Sequence, residues 1–449
     1  MKRILASFFC ILMLFALMGC GTEEDLTEEN PEEERIELVL GSLFPIPDEL
    51  RRDVNNFNRN NPDIYIRVLT YANWDDDVMQ ALQRLNADIV SGNMPDILSL
   101  GDLPFERYAH QGFLADIGAL IDGDPDLSRE DFVESAMGTL EVGGTLYAAA
   151  SGFFIQTAVG RSDLVGPEMG WTMAEFLETM EGMPEGMMPF PPTFDQVDFI
   201  HFILGRNLSQ FVDYETGEVS FDTALFRDYL AFAATFPDDV AAAMEAQRAE
   251  GRGDRNPHIV GESLLQHGFL WSFTDMTYLR MYGMDPNNLR FFDGDLTLIG
   301  YPSEWGLGSF LVPSDEMLGI SANSPHQEAA WRFVRGFLAE ERMPFRGRGD
   351  FSMNRAALER RAAEALAAGY LTYDAGPGAP EGERWPILEA DVNQVLELIS
   401  RLDQRNMHDR EINEMMIEEI LPFLAGDRSK EDTVRILQNR VQTYMSERR

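Results

Sequence analysis

The sequence predicts an α/β fold of two or more domains, and three observations carry that expectation. Between Ile36 and Leu100, short apolar runs alternate with stretches of helical period, the pattern of strands joined by crossover helices. From Ile36 to Arg449 the chain is long enough, with 45% hydrophobic residues overall, to bury more than one core. Those cores form without cross-links, because Cys10 and Cys20 are the only two cysteines and both precede Ile36.

Taken in order, Lys2 and Arg3 open the chain, and Ile4 to Ala16 is apolar apart from Ser7. That run is too short to span a bilayer comfortably and reads as an export signal. Leu17-Met18-Gly19-Cys20 resembles a bacterial lipobox, which implies cleavage before Cys20 and acylation of its thiol. Residues 1–19 are therefore expected to be a lipoprotein signal peptide. Residues 20–35 are expected to be an acidic, disordered tether, since Glu23 to Glu34 has almost nothing to bury.

Ile36 to Leu40 reads as a strand. Asp48 to Asn60 reads as a helix, with Leu50, Val54 and Phe57 on one face, stopped by Asn61-Pro62-Asp63. Ile64 to Thr70 is the next strand, with Ile64, Ile66 and Val68 alternating. Asp75 to Ser91 is the next helix, its acidic start suited to the positive helix end. Gly92-Asn93-Met94-Pro95 breaks it, and Asp96 to Leu100 is a buried strand. Single helices between strands imply parallel pairing, with ligands at the strand carboxyl ends. Further on, Thr172 and Glu175 form a capping box. Ser324-Pro325-His326-Gln327 offers the same arrangement with Pro325 at the first helical position. Ser429 to Ser446 reads as a terminal helix with Val434, Leu437, Val441 and Tyr444 along one face. Gly182 to Pro192 and Asp374 to Glu383 read as loops.

Composition excludes several classes of function. The formal net charge is −40, and Lys430 is the one lysine beyond Lys2, so nucleic acid, anionic lipid and acidic polymers are repelled. The body has no thiol for catalysis or metal ligation. None of the 6 histidines pairs at i, i+3 or i, i+4, which argues against a helical zinc site. Asp122, Asp124 and Asp126 mimic the start of a calcium loop, but Leu127 stands where the glycine belongs and Val133 where the glutamate belongs, so a solvated turn fits better. There is no G-x-S-x-G elbow and no phosphate loop. Arg252-Gly253-Asp254 and Arg348-Gly349-Asp350 are chance tripeptides in an Arg- and Gly-rich chain.

Several runs carry a family resemblance. Phe57-Asn58-Arg59-Asn60-Asn61-Pro62-Asp63-Ile64 resembles the first helix-to-strand joint of extracellular solute-binding proteins of the maltose-binding-protein class, family 1 of those serving ABC importers. Ser91-Gly92-Asn93-Met94-Pro95-Asp96-Ile97 resembles the second joint. Gly112 to Ile117, Gly144 to Ala148, Trp171 to Phe176 and Ala329 to Val334 resemble later family segments, in family order. The resemblance implies a two-lobe periplasmic-binding-protein-like fold with a hinge. Its N-terminal lobe would take residues 36–152 plus 303–341, and its C-terminal lobe residues 153–302 plus 342–449. It implies a non-enzymatic, monomeric protein without cofactor or metal, anchored by lipid at Cys20 on the extracytoplasmic face of the cell membrane. It would hand a sugar or oligosaccharide to ABC permease subunits. A sensor for a membrane histidine kinase, a secreted glycan-active enzyme and a passive surface lipoprotein are the alternatives.

A sugar site needs aromatic faces for C–H surfaces and polar groups for hydroxyls. The loops after the first three strands supply Phe44, Trp74 and Asp102, and the first crossover supplies Phe154. Gly268-Phe269-Leu270-Trp271-Ser272 resembles the family segment whose tryptophan stacks on ligand, although Phe-Leu replaces its proline. Trp305 follows Tyr301-Pro302-Ser303-Glu304 at the expected second crossover. Phe153, Trp171 and Trp331 read as packing residues instead, and so does Tyr147.

Overall fold

The computed structural model describes residues 35–184, 187–191, 194–249, 263–282, 295–304, 306–313, 317–339, 351–372, 384–405 and 409–447. Cys20, the tether up to Glu34, Trp305 and the loop from Asp374 to Glu383 lie outside them.

The strands, in chain order, are β1 (Ile36–Ser42), β2 (Ile64–Thr70), β3 (Ile97–Ser99), β4 (Glu141–Val142), β5 (Thr145–Leu146), β6 (Gly152–Arg161), β7 (Leu265–Leu270), β8 (Leu296–Thr297), β9 (Phe310–Pro313), β10 (Leu318–Ile320), β11 (Phe351–Ser352), β12 (Tyr370–Thr372) and β13 (Arg384–Pro386). The first sheet has the order β10-β3-β1-β2. As expected from the single crossover helices, β1 is parallel to β2 and to β3; β10 closes the sheet antiparallel to β3. Helix Asp48–Asn60 buries Leu50 and Val54, and helix Val78–Val90 buries Ala81, Leu82, Leu85 and Ile89. Gly41 tolerates no side chain, since a Cβ there would lie 2.5 Å from the Pro95 ring.

Two sequence-based boundaries shift. The second helix begins at Val78 rather than Asp75, because Asp77 accepts the Gln80 N–H as N-cap at 3.1 Å, while Asp76 folds back onto the Asn73 N–H at 2.7 Å. Helix Gln327–Val334 starts after Pro325, not at it. Ser324 accepts the His326 N–H at 3.1 Å and donates to Asp96 at 2.6 Å, so its hydroxyl holds a turn against the first sheet. The Thr172–Glu175 capping box is present, and Trp171 packs edge-on against Phe176 at 5.1 Å as the accompanying hydrophobic staple. The terminal helix spans Lys430–Glu447 and buries Val434, Leu437, Val441 and Tyr444.

The second sheet is antiparallel throughout and built around β6. Strands β7 and β11 share β6 with β8 and β9. The chain leaves the first sheet at the Ala149–Leu318 bridge and enters β6 at Gly152. It returns between β9 and β10. Tyr301, where the sequence set the return, lies within the second core with its N–H on Gly308 O (2.8 Å), and Ser303 is buried beside it with its N–H on Trp171 O (2.9 Å). Eight of the ten β6 residues are buried, Gln156 and Thr157 among them, because both faces of the strand are covered. Phe153, Ile155 and Val159 join a core continuous with the first sheet, while Ala158 faces a second core formed by Phe199, Phe226, Tyr229, Ile412 and Leu437.

Candidate ligand-binding site

Parallel pairing delivers the carboxyl ends of β1, β2 and β3 to one edge of the first sheet, and the loops leaving them are tied together. The Tyr71 N–H donates to Ser42 O at 3.1 Å and the Ala72 N–H to Leu43 O at 2.8 Å. This brings Phe44 and Trp74 into a parallel stack, with centroids 4.8 Å apart and planes within 9°. Phe44 is the inner ring; Trp74 is the outer one and is 72% exposed. Asp102, half-buried beyond β3, lies 3.8 Å from the Arg410 guanidinium, which sits over the Phe44 ring at 5.4 Å. Burial raises the Asp102 carboxyl above its ordinary range, and the Arg410 charge opposes that rise.

A second aromatic group forms where β6 begins and β7 ends. Phe154 stacks on Trp271 with centroids 3.9 Å apart and planes at 25°. Phe269 meets Phe154 edge-on at 5.4 Å. The Trp271 backbone is fixed, since its N–H and that of Ser272 both donate to Asp275, which opens helix Asp275–Tyr282. Behind the rings runs a polar chain. Arg206 donates its Nε–H to fully buried Gln156 at 3.0 Å, and His267 shares a hydrogen bond with Tyr301. Phe202, in the π-helical turn Ile200–Leu204, packs on His267 at 4.7 Å. Such turns recur at functional sites. Burial, with the Arg206 charge adding to it, pushes His267 down to about 4, so the ring is neutral. Burial also lowers Arg206, to about 10.

The sequence-derived residues thus fall into two groups: Phe44, Trp74 and Asp102 in one, Phe154 and Trp271 in the other. Two further residues join them. Phe269 shares one face of β7 with His267, a period-two signal present in the sequence. Arg410 comes from the far end of the chain, and no local pattern marks it. Elsewhere, Trp331 is buried and donates to Asp124 at 2.9 Å. Asp122 pairs with Arg129, and Asp124 and Asp126 with Arg335, so the calcium-like triplet is divided between two arginines.

No family model matches the chain, and no curated protein matches it. Solved structures do. The sugar-binding protein MalE from Xanthomonas citri superposes with a TM-score of 0.54 at 16% identity, covering 92% of this chain and 98% of its own. An ABC substrate-binding protein from Listeria monocytogenes, solved with cycloalternan, gives 0.52 at 17% identity, covering 92% and 99%. The chain has the two-lobe α/β fold of solute-binding proteins. That fold also hosts unrelated chemistry: a de novo designed cysteine esterase matches with a TM-score of 0.52 at 16% identity, covering 93% of this chain and 100% of its own. The solute-binding-protein fold therefore frames the two aromatic groups without choosing their ligand.

Proposed function

We propose that this chain is a lipid-anchored solute-binding protein that captures a sugar or oligosaccharide on the extracytoplasmic face of the membrane for an ABC importer. The observation that carries this reading is the Trp74–Phe44 stack at the carboxyl ends of parallel strands, with Asp102 beside it. A flat, solvated aromatic face suits the C–H surface of a pyranose, and a carboxylate next to it accepts hydroxyl protons. Phe154, Trp271 and Phe269 would supply the opposing wall, and Trp305 its rim. Closure of the two lobes on the ligand would desolvate both walls. The solved neighbours named as sugar-binding and as an ABC substrate-binding protein support the same choice of ligand and importer. The lipobox at Cys20 and the acidic tether after it support the anchoring. No covalent step is required, and the chain has no cysteine beyond Cys20 to serve as the nucleophile of the designed esterase.

A glycan thermal-shift panel on the protein from Ile36 onward tests the binding claim. A sugar at about a hundred times its dissociation constant adds roughly 2.7 kcal/mol of stability. The melting point should rise and the sugar should be recovered unaltered. A panel of neutral and acidic mono- and oligosaccharides that leaves the melting point unmoved, or a glycan that is cleaved, overturns it.

A further inference from the structure

Arg410 breaks a local rule. It is the first residue of helix Arg410–Leu424, whose N-cap, Asp409, accepts the Ile412 N–H at 3.1 Å. A cation there opposes the helix dipole, an unfavourable placement of roughly 0.3–1 kcal/mol. Departures of this kind concentrate where another requirement outweighs local preference. Hydrogen bonding does not explain the position: among the described residues the Arg410 Nε is buried without a hydrogen-bond partner, and the ion pair with Asp102, at 3.8 Å, is longer than a hydrogen bond. What the guanidinium does contact is a ring face: it lies 5.4 Å from the centroid of Phe44, whose own centroid lies 4.8 Å from that of Trp74.

The segment carrying Arg410 is itself anchored on both sides. Arg405 pairs with Glu106 and lies over the Phe105 ring at 4.4 Å, while Glu411 pairs with Arg107 at 3.1 Å. Both anchors reach the short helix Phe105–His110, immediately after Asp102. The guanidinium is thereby set over Phe44 by its neighbours. Trp74, 72% exposed, is packed against little else than the ring below it.

We propose that Arg410 is a positioning residue of the ligand site, the third layer of a Trp74–Phe44–Arg410 stack that sets the orientation of Trp74. The cation gains from the ring quadrupole, and the polarised ring forms a firm base for the indole. This rests on the reading of Trp74 as a sugar platform, but it can be tested without any sugar.

The probe is the fluorescence of Trp74, taken as the difference between the protein and its Trp74→Phe variant, with acrylamide as quencher. Arg410→Ala should raise the quenching constant of that component by up to about 1.4-fold, the range left to a ring already 72% exposed, as the indole loosens from its base. Arg410→Lys keeps the charge but not the planar face and should restore only part of the parent value. Asp102→Asn, which removes the carboxylate that draws the guanidinium inward, should move the signal the same way by less. Should the alanine variant not fold, the lysine and Asp102→Asn variants decide. Trp74 quenching at the parent value in the folded variants overturns the proposal. A glycan panel run on the same proteins separates the two claims, since loss of every glycan response would remove the sugar reading and leave the fluorescence result standing.

Discussion

At the scale of single residues, exposure separates ligand-facing from structural aromatics. Trp74 is 72% exposed, so Trp74→Ala should leave stability within about 0.5 kcal/mol of the parent, as surface changes do. It should weaken binding of a glycan found in the panel by about tenfold, the worth of roughly 1.4 kcal/mol. Trp271 is half-buried against Phe154, so Trp271→Ala should lower both melting point and affinity. Calorimetric melting and titration on both variants check this, and a large fall in the Trp74→Ala melting point would make that ring structural. His267 makes a separate prediction. Its folded pKa, about 4, lies below the unfolded 6.5, with burial as the main cause. Its contribution to stability is full above 6.5 and is lost as pH falls from 6.5 through 4, because the unfolded chain binds the proton first. His267→Gln should therefore show a shallower loss of unfolding free energy than the parent between those limits. Parallel slopes in urea titrations at a series of pH values would dismiss the assignment. Phe44, Trp74 and Asp102 were legible in the sequence because each follows a recognisable strand. Arg410 was not, because its partners, Phe44 and Asp102, lie on loops near the start of the fold.

Elements show the same division between local and distant information. Strands β1 to β3 and their helices could be read because periods of two and of 3.6 alternate cleanly there. The second sheet could not. Strands β8, β9 and β11 are each 2–4 residues long and owe their place in the sheet to pairing with β6. The joint between helix Phe105–His110 and the C-terminal helices was equally silent, although it is densely paired. Arg107 donates to Glu411 at 3.1 Å and to the Tyr444 hydroxyl at 3.0 Å, and Tyr444 donates to Glu411 at 2.6 Å. The Arg107 and Glu411 side chains are only 11% and 9% exposed, so removing one partner leaves a buried charge that the remaining hydrogen bonds compensate less well. Glu411→Gln and Arg107→Met should each cost about 3–5 kcal/mol, and the double variant Arg107→Met with Glu411→Met should recover much of that. A double-mutant cycle in urea measures it; additive losses would show that the pair acts independently. At the N-terminal end of helix Met173–Glu181, Thr172→Ala should cost about 1 kcal/mol, the usual worth of a lost cap.

For the whole molecule the governing quantity is a formal net charge of −40. A chain so charged repels itself when compact, and the repulsion grows as acidic surfaces approach. Raising the ionic strength from about 0.02 M to about 0.5 M shortens the screening length from roughly 20 Å to roughly 4 Å. Salt should therefore raise the melting point, since the net repulsion is long-ranged. The buried pairs Arg107–Glu411 and Arg280–Asp391 are hardly screened and should not weaken in step. Exposed pairs such as Arg332–Asp63 contribute little, so their screening does not reverse the trend. The same argument bears on lobe closure. An uncharged sugar has no long-range field of its own, so its affinity should be indifferent to salt if the lobes do not move. If closure brings acidic lobes together, affinity should rise with salt although the ligand is neutral. Small-angle scattering with a glycan from the panel should then show a smaller radius of gyration on binding, with less ligand needed at high salt. A radius unchanged by saturating ligand at both ionic strengths would refute the hinge, and compaction with a salt-independent midpoint would show that closure does not work against this charge.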